Sequence, residues 1–79
     1  MTMKLKIKYF GLLAEITKCN EEEFEFSGNT ISDLRETLYH KYSNLTKKDF
    51  QIAQNQELVN NETEITATEI ALLPPFAGG

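Results

Sequence analysis

Apolar and polar residues alternate at the start of the chain. Three lysines alternate with apolar residues over positions 3–9, and a period of two is typical of a strand with one buried and one solvated face. Residues 21–27 repeat the pattern, with Phe24 and Phe26 on the side expected to face the core. We expect the two strands to pair antiparallel, because this sets lysines opposite glutamates on the outer face, at about 0.2–1 kcal/mol per pair.

A helical period follows the second strand. Thr30 with Asp33 three residues later forms an imperfect capping box, which predicts the start of a helix. Asn44 marks its expected end. The apolar residues that recur at helical spacing on one face of this single amphipathic helix are Ile31, Leu34, Leu38, Tyr42 and Leu45.

The remaining segments are short. Residues 12–16 are too few for a stable isolated helix, so we expect one packed turn there. A turn is predicted at Asn55 and Gln56, and Ile65 is expected to reach the core from the loop at residues 62–68. Three further strands are predicted at residues 50–53, 58–59 and 69–73.

The order strand, strand, helix and three strands predicts an α+β fold, with a mixed sheet of about five strands and one main helix packed across one face. A chain of 79 residues has room for a single core. Pro74 and Pro75 cannot donate to a sheet ladder. We therefore predict a folded domain over residues 1–73 and an extended tail over residues 74–79.

Composition narrows the expected partners and location. The formal net charge is −4, and an acidic domain is repelled by phosphate backbones, so no nucleic acid partner is expected. The first ten residues lack the apolar run of a signal peptide, and no segment has the length of a membrane span. A single cysteine favours a reducing compartment. We expect a cytoplasmic protein with no membrane association.

The usual catalytic and metal-binding sets are missing from the sequence. His40 is the only histidine and falls on the polar side of the predicted helix, and Cys19 is expected to be an idle thiol. Consecutive strand residues point to opposite faces, so the three glutamates at 21–23 cannot converge on one ion, and we expect them to form a solvated strand edge. We expect no metal site, no cofactor bound by this chain and no independent catalytic activity.

The C-terminus carries the most distinctive feature. Gly78 and Gly79 end the sequence after the rigid Pro74–Pro75 pair and the aromatic Phe76. Glycines at the tip lack the Cβ atoms that would obstruct entry into a narrow channel. The pattern predicts a projecting arm that presents its terminal carboxylate.

Two segments resemble one known family. Residues 70–79, with the sequence IALLPPFAGG, closely resemble the C-terminus of the small, sulfur-carrying subunits of molybdopterin synthase, and residues 9–15, YFGLLAE, are similar to the exit of that family's first strand. The resemblance implies a ubiquitin-like β-grasp fold. One departure is the segment at residues 66–69, where the family commonly has a glycine and this chain has none.

The resemblance also implies a chemistry. An ATP-dependent activating enzyme would adenylate the Gly79 carboxylate, and a sulfur donor would convert it to a thiocarboxylate. The thiocarboxylate would then donate sulfur to the cyclic pyranopterin precursor within the large synthase subunit, in a complex of two small and two large subunits. The residues expected to thread the channel, hold the arm or dock are Gly78, Ala77, Phe76, Pro75, Pro74 and Leu73.

Other interpretations share these features. A Gly-Gly end also suits a sulfur carrier for the thiamine thiazole or for tRNA thiolation, and a ubiquitin-like protein modifier. A different class is an interaction module that binds through its sheet and has an inert tail. Leu73 fits an ordinary exposed leucine as well as a docking residue.

Overall fold

The computed structural model describes residues 2–75 and contains five strands, two α-helices and a 3-10 helix. In chain order the elements are β1 (Met3–Tyr9), α1 (Leu12–Thr17), β2 (Glu21–Phe26), α2 (Ile31–Lys41), the 3-10 helix (Ser43–Lys47), β3 (Gln51–Gln54), β4 (Glu57–Val59) and β5 (Glu69–Leu73).

The strands form one mixed sheet in the order β2-β1-β5-β3-β4. The β1–β5 pair is parallel and the other neighbours are antiparallel. Helix α2 packs on one face of the sheet through its buried side chains Ile31, Leu34 and Leu38. This is the α+β arrangement of the β-grasp predicted from the sequence, with the last strand of the described chain in the centre of the sheet.

The antiparallel pairing of β1 with β2 confirms the pairing predicted for the first two strands. Lys4 lies opposite Glu25, and Lys6 lies opposite Glu23, on the outer face of the sheet. Phe26 is buried and Phe24 is half-buried on the other face. The hydrophobic period and the charge pattern therefore select the same register.

Helix α2 begins as predicted but ends early. Thr30 Oγ1 accepts from the backbone N–H of Asp33, and the Asp33 carboxylate accepts from the backbone N–H groups of Asn29 and Thr30. The prediction that the helix runs to Asn44 is wrong, because Tyr42 adopts φ −131° and ψ 88° and turns its ring toward β2. The 3-10 helix that follows, rather than α2, buries Leu45.

Residues 12–17 form an α-helix rather than the single packed turn expected. Tertiary burial stabilises it, because Leu13 and Thr17 are both buried against the rest of the fold. The Thr17 hydroxyl donates to the carbonyl of Leu13 at 3.1 Å. Lys18 then ends the helix in the left-handed region, at φ 64°.

The predicted turn between β3 and β4 is confirmed. Asn55 and Gln56 have φ values of 55° and 66°, and they connect the paired residues Gln54 and Glu57. Two successive positive φ values define the type I′ turn, whose twist suits a two-residue hairpin.

The segment before β5 folds without a glycine. Within residues 2–75, positive φ values occur at Gly11, Lys18, Asn55 and Gln56, and therefore at none of residues 66–69. The buried Gln54 side chain holds this segment instead, because its Oε1 accepts from the N–H groups of Thr66 and Ala67 at 2.8 and 3.2 Å. Its Nε2 donates to the carbonyl of Glu64.

The core lies between the sheet and the three helices. Ile65 is half-buried and packs against it, as predicted for the loop before β5. The buried apolar residues are Leu5, Ile7, Tyr9, Leu13, Phe26, Ile31, Leu34, Leu38, Leu45, Phe50, Ile52, Ile70 and Leu72.

Candidate reactive tail and docking face

The structure describes only the root of the predicted arm. Leu73 is the last residue of β5 and is half-buried opposite Gln51. Pro74 and Pro75 follow outside the strand, as expected from residues that cannot donate to a ladder. The other predicted tail residues, Phe76, Ala77, Gly78 and Gly79, lie outside the described part of the chain.

The root of the arm lies beside the exit of β1. The N–H of Phe10 donates to the carbonyl of Leu72 at 3.1 Å, just beyond the last residue pair of the parallel β1–β5 ladder. Two residues beyond the Tyr9–Leu72 pair on each strand, Gly11 lies close to the Pro74 ring, because a Cβ added to Gly11 would be 2.9 Å from Pro74 Cγ. The described parts of the two segments that resemble the sulfur-carrier family, residues 9–15 and 70–75, therefore meet at one end of the sheet.

Apolar residues cover the outer face of the sheet near this root. Ala53 pairs with Ala71 on one side and Leu58 on the other, which places all three on the face opposite α2. Leu58 is 59% exposed and Phe10 is 45% exposed. We call Phe10, Ala53, Leu58, Ala71 and Leu73 the docking face.

The docking face includes a shallow depression of about 500 Å³. The two alanines lie in its floor, since they have the smallest side chains at its centre, and charged and polar residues form its rim. Its lining residues are Lys8, Phe10, Ala53, Asn55, Gln56, Glu69 and Ala71. An apolar floor with a polar rim is the usual composition of a protein contact surface.

The other half of the outer face is charged, and two of its lysines form ion pairs with glutamates. Lys6 forms an ion pair with Glu21 at 3.3 Å, and Lys8 forms one with Glu69 at 3.5 Å. All four side chains are more than a third exposed, so these pairs add little stability. The charges instead border the docking face and restrict which partner surface can approach it.

Sequence reasoning missed one polar cluster on the opposite face. The expectation that residues 21–23 form a solvated strand edge is wrong for Glu22, which shares the inner face of β2 with Phe24 and Phe26. Its carboxylate accepts hydrogen bonds from the hydroxyls of Tyr9 and Tyr42. The signal was present in the alternation, since Glu22 is in phase with the two phenylalanines.

Charge and burial shift the pKa values in this cluster. Burial raises the pKa of both tyrosines above the ordinary value, and the Glu22 carboxylate beside them adds to that rise. Burial alone would raise the pKa of Glu22, but hydrogen bonds from Tyr42, Tyr9 and Lys41 outweigh it and lower that pKa. The cluster is therefore an ionised carboxylate with three donors at neutral pH, and its geometry ties α2 to β1 and β2.

The remaining sequence candidates do not assemble into a site. His40 is exposed on α2, and the half-buried Cys19 thiol contacts the Thr17 hydroxyl at 3.7 Å. Among residues 2–75, no three His, Cys, Asp or Glu side chains gather in a way that would hold a metal ion. In the same part of the chain, no helix is long and apolar enough to cross a membrane.

Comparisons with known proteins identify the family. Residues 7–79 match the model of the ThiS family. The molybdopterin synthase sulfur carrier subunit of Caenorhabditis briggsae is 34% identical, over 98% of this chain and 99% of that protein.

A Pyrococcus furiosus protein assigned as subunit 1 of the molybdopterin converting factor superposes with a TM-score of 0.84 at 25% identity, covering 92% of this chain and 98% of that one. In the Helicobacter pylori complex of subunits 1 and 2 of the molybdopterin-converting factor, a chain superposes with a TM-score of 0.63 at 30% identity, covering 98% and 100% of the two chains. This chain belongs to the ThiS family.

Proposed function

We propose that this chain is the sulfur-carrying subunit of a molybdopterin synthase and that Gly79 bears the sulfur. The observation that carries the proposal is similarity along nearly the whole chain to a sulfur carrier subunit of that enzyme, at 34% identity. The structure is consistent with it, because the root of the tail emerges beside an exposed apolar face. An exposed apolar face and a C-terminal segment that leaves the sheet beside it both suit a protein that must dock and then deliver its C-terminus.

The chemistry begins with a poor electrophile. A carboxylate is anionic and has no good leaving group, so an activating enzyme would join the Gly79 carboxylate to the α-phosphate of ATP and release pyrophosphate. Hydrosulfide, or an equivalent made from a persulfide and a thiol reductant, would then attack the acyl carbon. AMP leaves with the electron pair of the broken C–O bond, a proton is released, and Gly79 becomes a thiocarboxylate.

Sulfur transfer would take place in the partner. The thiocarboxylate is an anionic, soft nucleophile at neutral pH, and its sulfur would form a bond to a carbon of the cyclic pyranopterin precursor while displacing an oxygen substituent. Water would then cleave the acyl–sulfur bond and return Gly79 as a carboxylate. Basic residues of the large subunit would hold the phosphorylated precursor and the tail tip. This chain supplies sulfur, and the partner supplies the pocket and the acid–base groups.

The docking face is the proposed contact with the large subunit. In the Helicobacter pylori structure, subunits 1 and 2 of the converting factor form a complex, which supports a partner of that kind here. Leu58 and Phe10 are the largest exposed apolar side chains on this face, and Leu73 lies where the face meets the arm. We propose a complex of two small and two large subunits in the cytoplasm.

Intact mass spectrometry tests the proposed chemistry. The full chain would be incubated with ATP, an activating enzyme and a sulfide source, alongside a variant that lacks Gly79. We expect the full chain to gain the mass of one oxygen-to-sulfur exchange, located at Gly79, and the truncated chain to gain none. Absence of the exchange in the full chain, with a known sulfur carrier converted in parallel, would refute the proposal.

Binding and complementation separate the remaining alternatives. We expect both the full and the truncated chain to bind a molybdopterin synthase large subunit, because the docking face lies within residues 2–75, and neither to bind a thiazole synthase. Only the full chain should support molybdopterin formation. Support by the truncated chain would instead favour an interaction module with an inert tail, and attachment of Gly79 to protein lysines would favour a modifier.

A further inference from the structure

Gly11 has a backbone conformation that other residues rarely adopt. Its φ and ψ are 60° and −135°, and the N–H of Leu13 donates to the carbonyl of Phe10 at 3.2 Å. These values describe a type II′ turn with Gly11 at its second position, where glycine is strongly preferred because φ is positive. The turn reverses the chain between β1 and α1.

The same glycine also contacts the root of the arm. A Cβ atom built on Gly11 would lie 2.9 Å from Cγ of Pro74. Carbon atoms pack best at about 3.5–4.0 Å, so an added methyl group would force the proline ring or the turn to move. The missing side chain therefore creates the space in which the Pro74 ring sits.

We propose that Gly11 is a positioning residue for sulfur transfer, because its bare backbone seats Pro74 and so sets the direction in which the arm leaves the sheet. The inference rests on the proposed function and extends it to a residue outside the tail. The last described hydrogen bond between the two strands joins Phe10 to Leu72, and Pro74 follows only two residues later. Pro74 therefore lies beside the Gly11 turn at the point where the hydrogen bonds between β1 and β5 end.

We expect a shift of Pro74 to change the position at which Gly79 is presented. Gly79 lies five residues beyond Pro74, and the proline ring limits how the chain can compensate at its own φ angle. Misplacing a reacting group by about 1 Å can slow a reaction by about 100-fold. Docking is expected to depend on the side chains of the docking face, which includes neither Gly11 nor Pro74. The Kd for the large subunit and the rate of sulfur transfer should therefore respond differently.

The test uses chains that already carry the thiocarboxylate, prepared by sulfide cleavage of a C-terminal fusion so that the activating enzyme is not needed. For each variant, calorimetry measures the affinity for the large subunit, and a single-turnover assay measures sulfur transfer to the precursor. We expect Gly11→Ala to slow transfer by about 10- to 100-fold. Its Kd should stay within about threefold of the wild-type value.

Three further variants separate the seating of Pro74 from general strain. Pro74→Ala removes the ring without straining the turn, and we expect it to slow transfer by about threefold. Gly11→Ala/Pro74→Ala should transfer at a rate close to that of Pro74→Ala, because the collision is gone and the strain that remains at the positive φ of position 11 should lower Tm rather than the transfer rate. Gly28→Ala is the matched control. An added Cβ there would lie 2.5 Å from Phe26 Cζ and 2.8 Å from Asp33 Cβ, so it should lower Tm but leave the transfer rate unchanged.

The outcomes distinguish two failures. If the wild-type thiocarboxylate transfers no sulfur, the proposed function is refuted and this inference with it. If the wild type transfers sulfur and both Gly11→Ala and Pro74→Ala match its rate, the positioning role alone is refuted. Rate losses that simply multiply in the double variant, or an equal loss in Gly28→Ala, would also overturn it.

Discussion

Replacing Glu22 with glutamine tests the polar cluster on the inner face of β2. Glutamine keeps the shape of the side chain and an oxygen that can accept, but it removes the negative charge. The Glu22 side chain is 16% exposed, and Tyr9, Tyr42 and Lys41 all donate to it. The substitution therefore changes the strength of three contacts without opening a cavity.

The magnitude follows from these contacts. A hydrogen bond to a charged group contributes about 1.5–3 kcal/mol and a neutral one about 0.5–1.5 kcal/mol, so each tyrosine bond should weaken by about 1 kcal/mol. The Lys41 pair, at 2.9 Å, adds little because that ammonium is 42% exposed. We expect Glu22→Gln to lower the free energy of unfolding by about 2 kcal/mol, or Tm by about 8–16 °C for a domain of this size.

The effect should depend on pH in a defined direction. Folding lowers the pKa of Glu22, so its ionisation stabilises the folded state above the ordinary carboxyl pKa. That contribution is lost as pH falls through the lowered folded-state pKa. The stability difference between the wild type and Glu22→Gln should be full at pH 7 and decline below about pH 4.3.

Urea unfolding followed by circular dichroism at pH 7 and at several acidic pH values measures this difference. Glu21→Gln is the matched control, because Glu21 is the adjacent residue on the outer face and pairs with Lys6 at 3.3 Å with its side chain 51% exposed. We expect the control to change stability by less than about 0.5 kcal/mol. Equal effects of the two substitutions at pH 7, or a Glu22→Gln effect that does not depend on pH, would refute the reasoning.

Three other substitutions test the loop, the hairpin and the docking face. Gln54→Leu leaves the N–H groups of Thr66 and Ala67 without their acceptor and should cost about 3 kcal/mol in urea unfolding; a cost below 1 kcal/mol would contradict the assigned role. Gln56→Gly should stabilise the chain by about 0.5–1 kcal/mol in the same assay, because glycine tolerates φ 66°; destabilisation would argue against the type I′ turn. Leu58→Asp should weaken binding to the large subunit by at least about 10-fold in calorimetry while leaving Tm nearly unchanged, and unaltered affinity would place the contact elsewhere.

Local patterns predicted most of the fold because they agree with the tertiary structure. The strand of lysines and the strand of glutamates have one register that buries the apolar side and pairs opposite charges. Thr30 and Asp33 define the start of α2 within four residues of sequence, so no distant contact is needed to find it. Such features can be predicted from the sequence because the residues that determine the local structure lie within that same segment.

The errors lie where distant residues decide the conformation. Tyr42 has the helical spacing of a core residue, but its hydroxyl bonds to Glu22, 20 residues earlier, and the helix ends there. The six residues of α1 cannot form a stable helix alone, and burial of Leu13 and Thr17 supplies the missing stability. Gln54 replaces an expected glycine turn through side-chain hydrogen bonds to a loop ten or more residues away.

The two faces of the sheet explain why the sequence says less about the docking site. The core constrains the residues on the inner face, so the alternation of apolar and polar positions predicts which of them are buried. On the outer face the same period allows both the paired charges of β1 and the exposed Leu58, and only the register of β3 with its neighbours brings Ala53, Ala71 and Leu58 together. The two alanines, Phe10 and a rim of charged and polar residues then form the depression, which no single segment of the sequence encodes. Leu73 lies on the same outer face, two residues beyond Ala71, and is half-buried, so we propose that a partner covering this face would also contact Leu73.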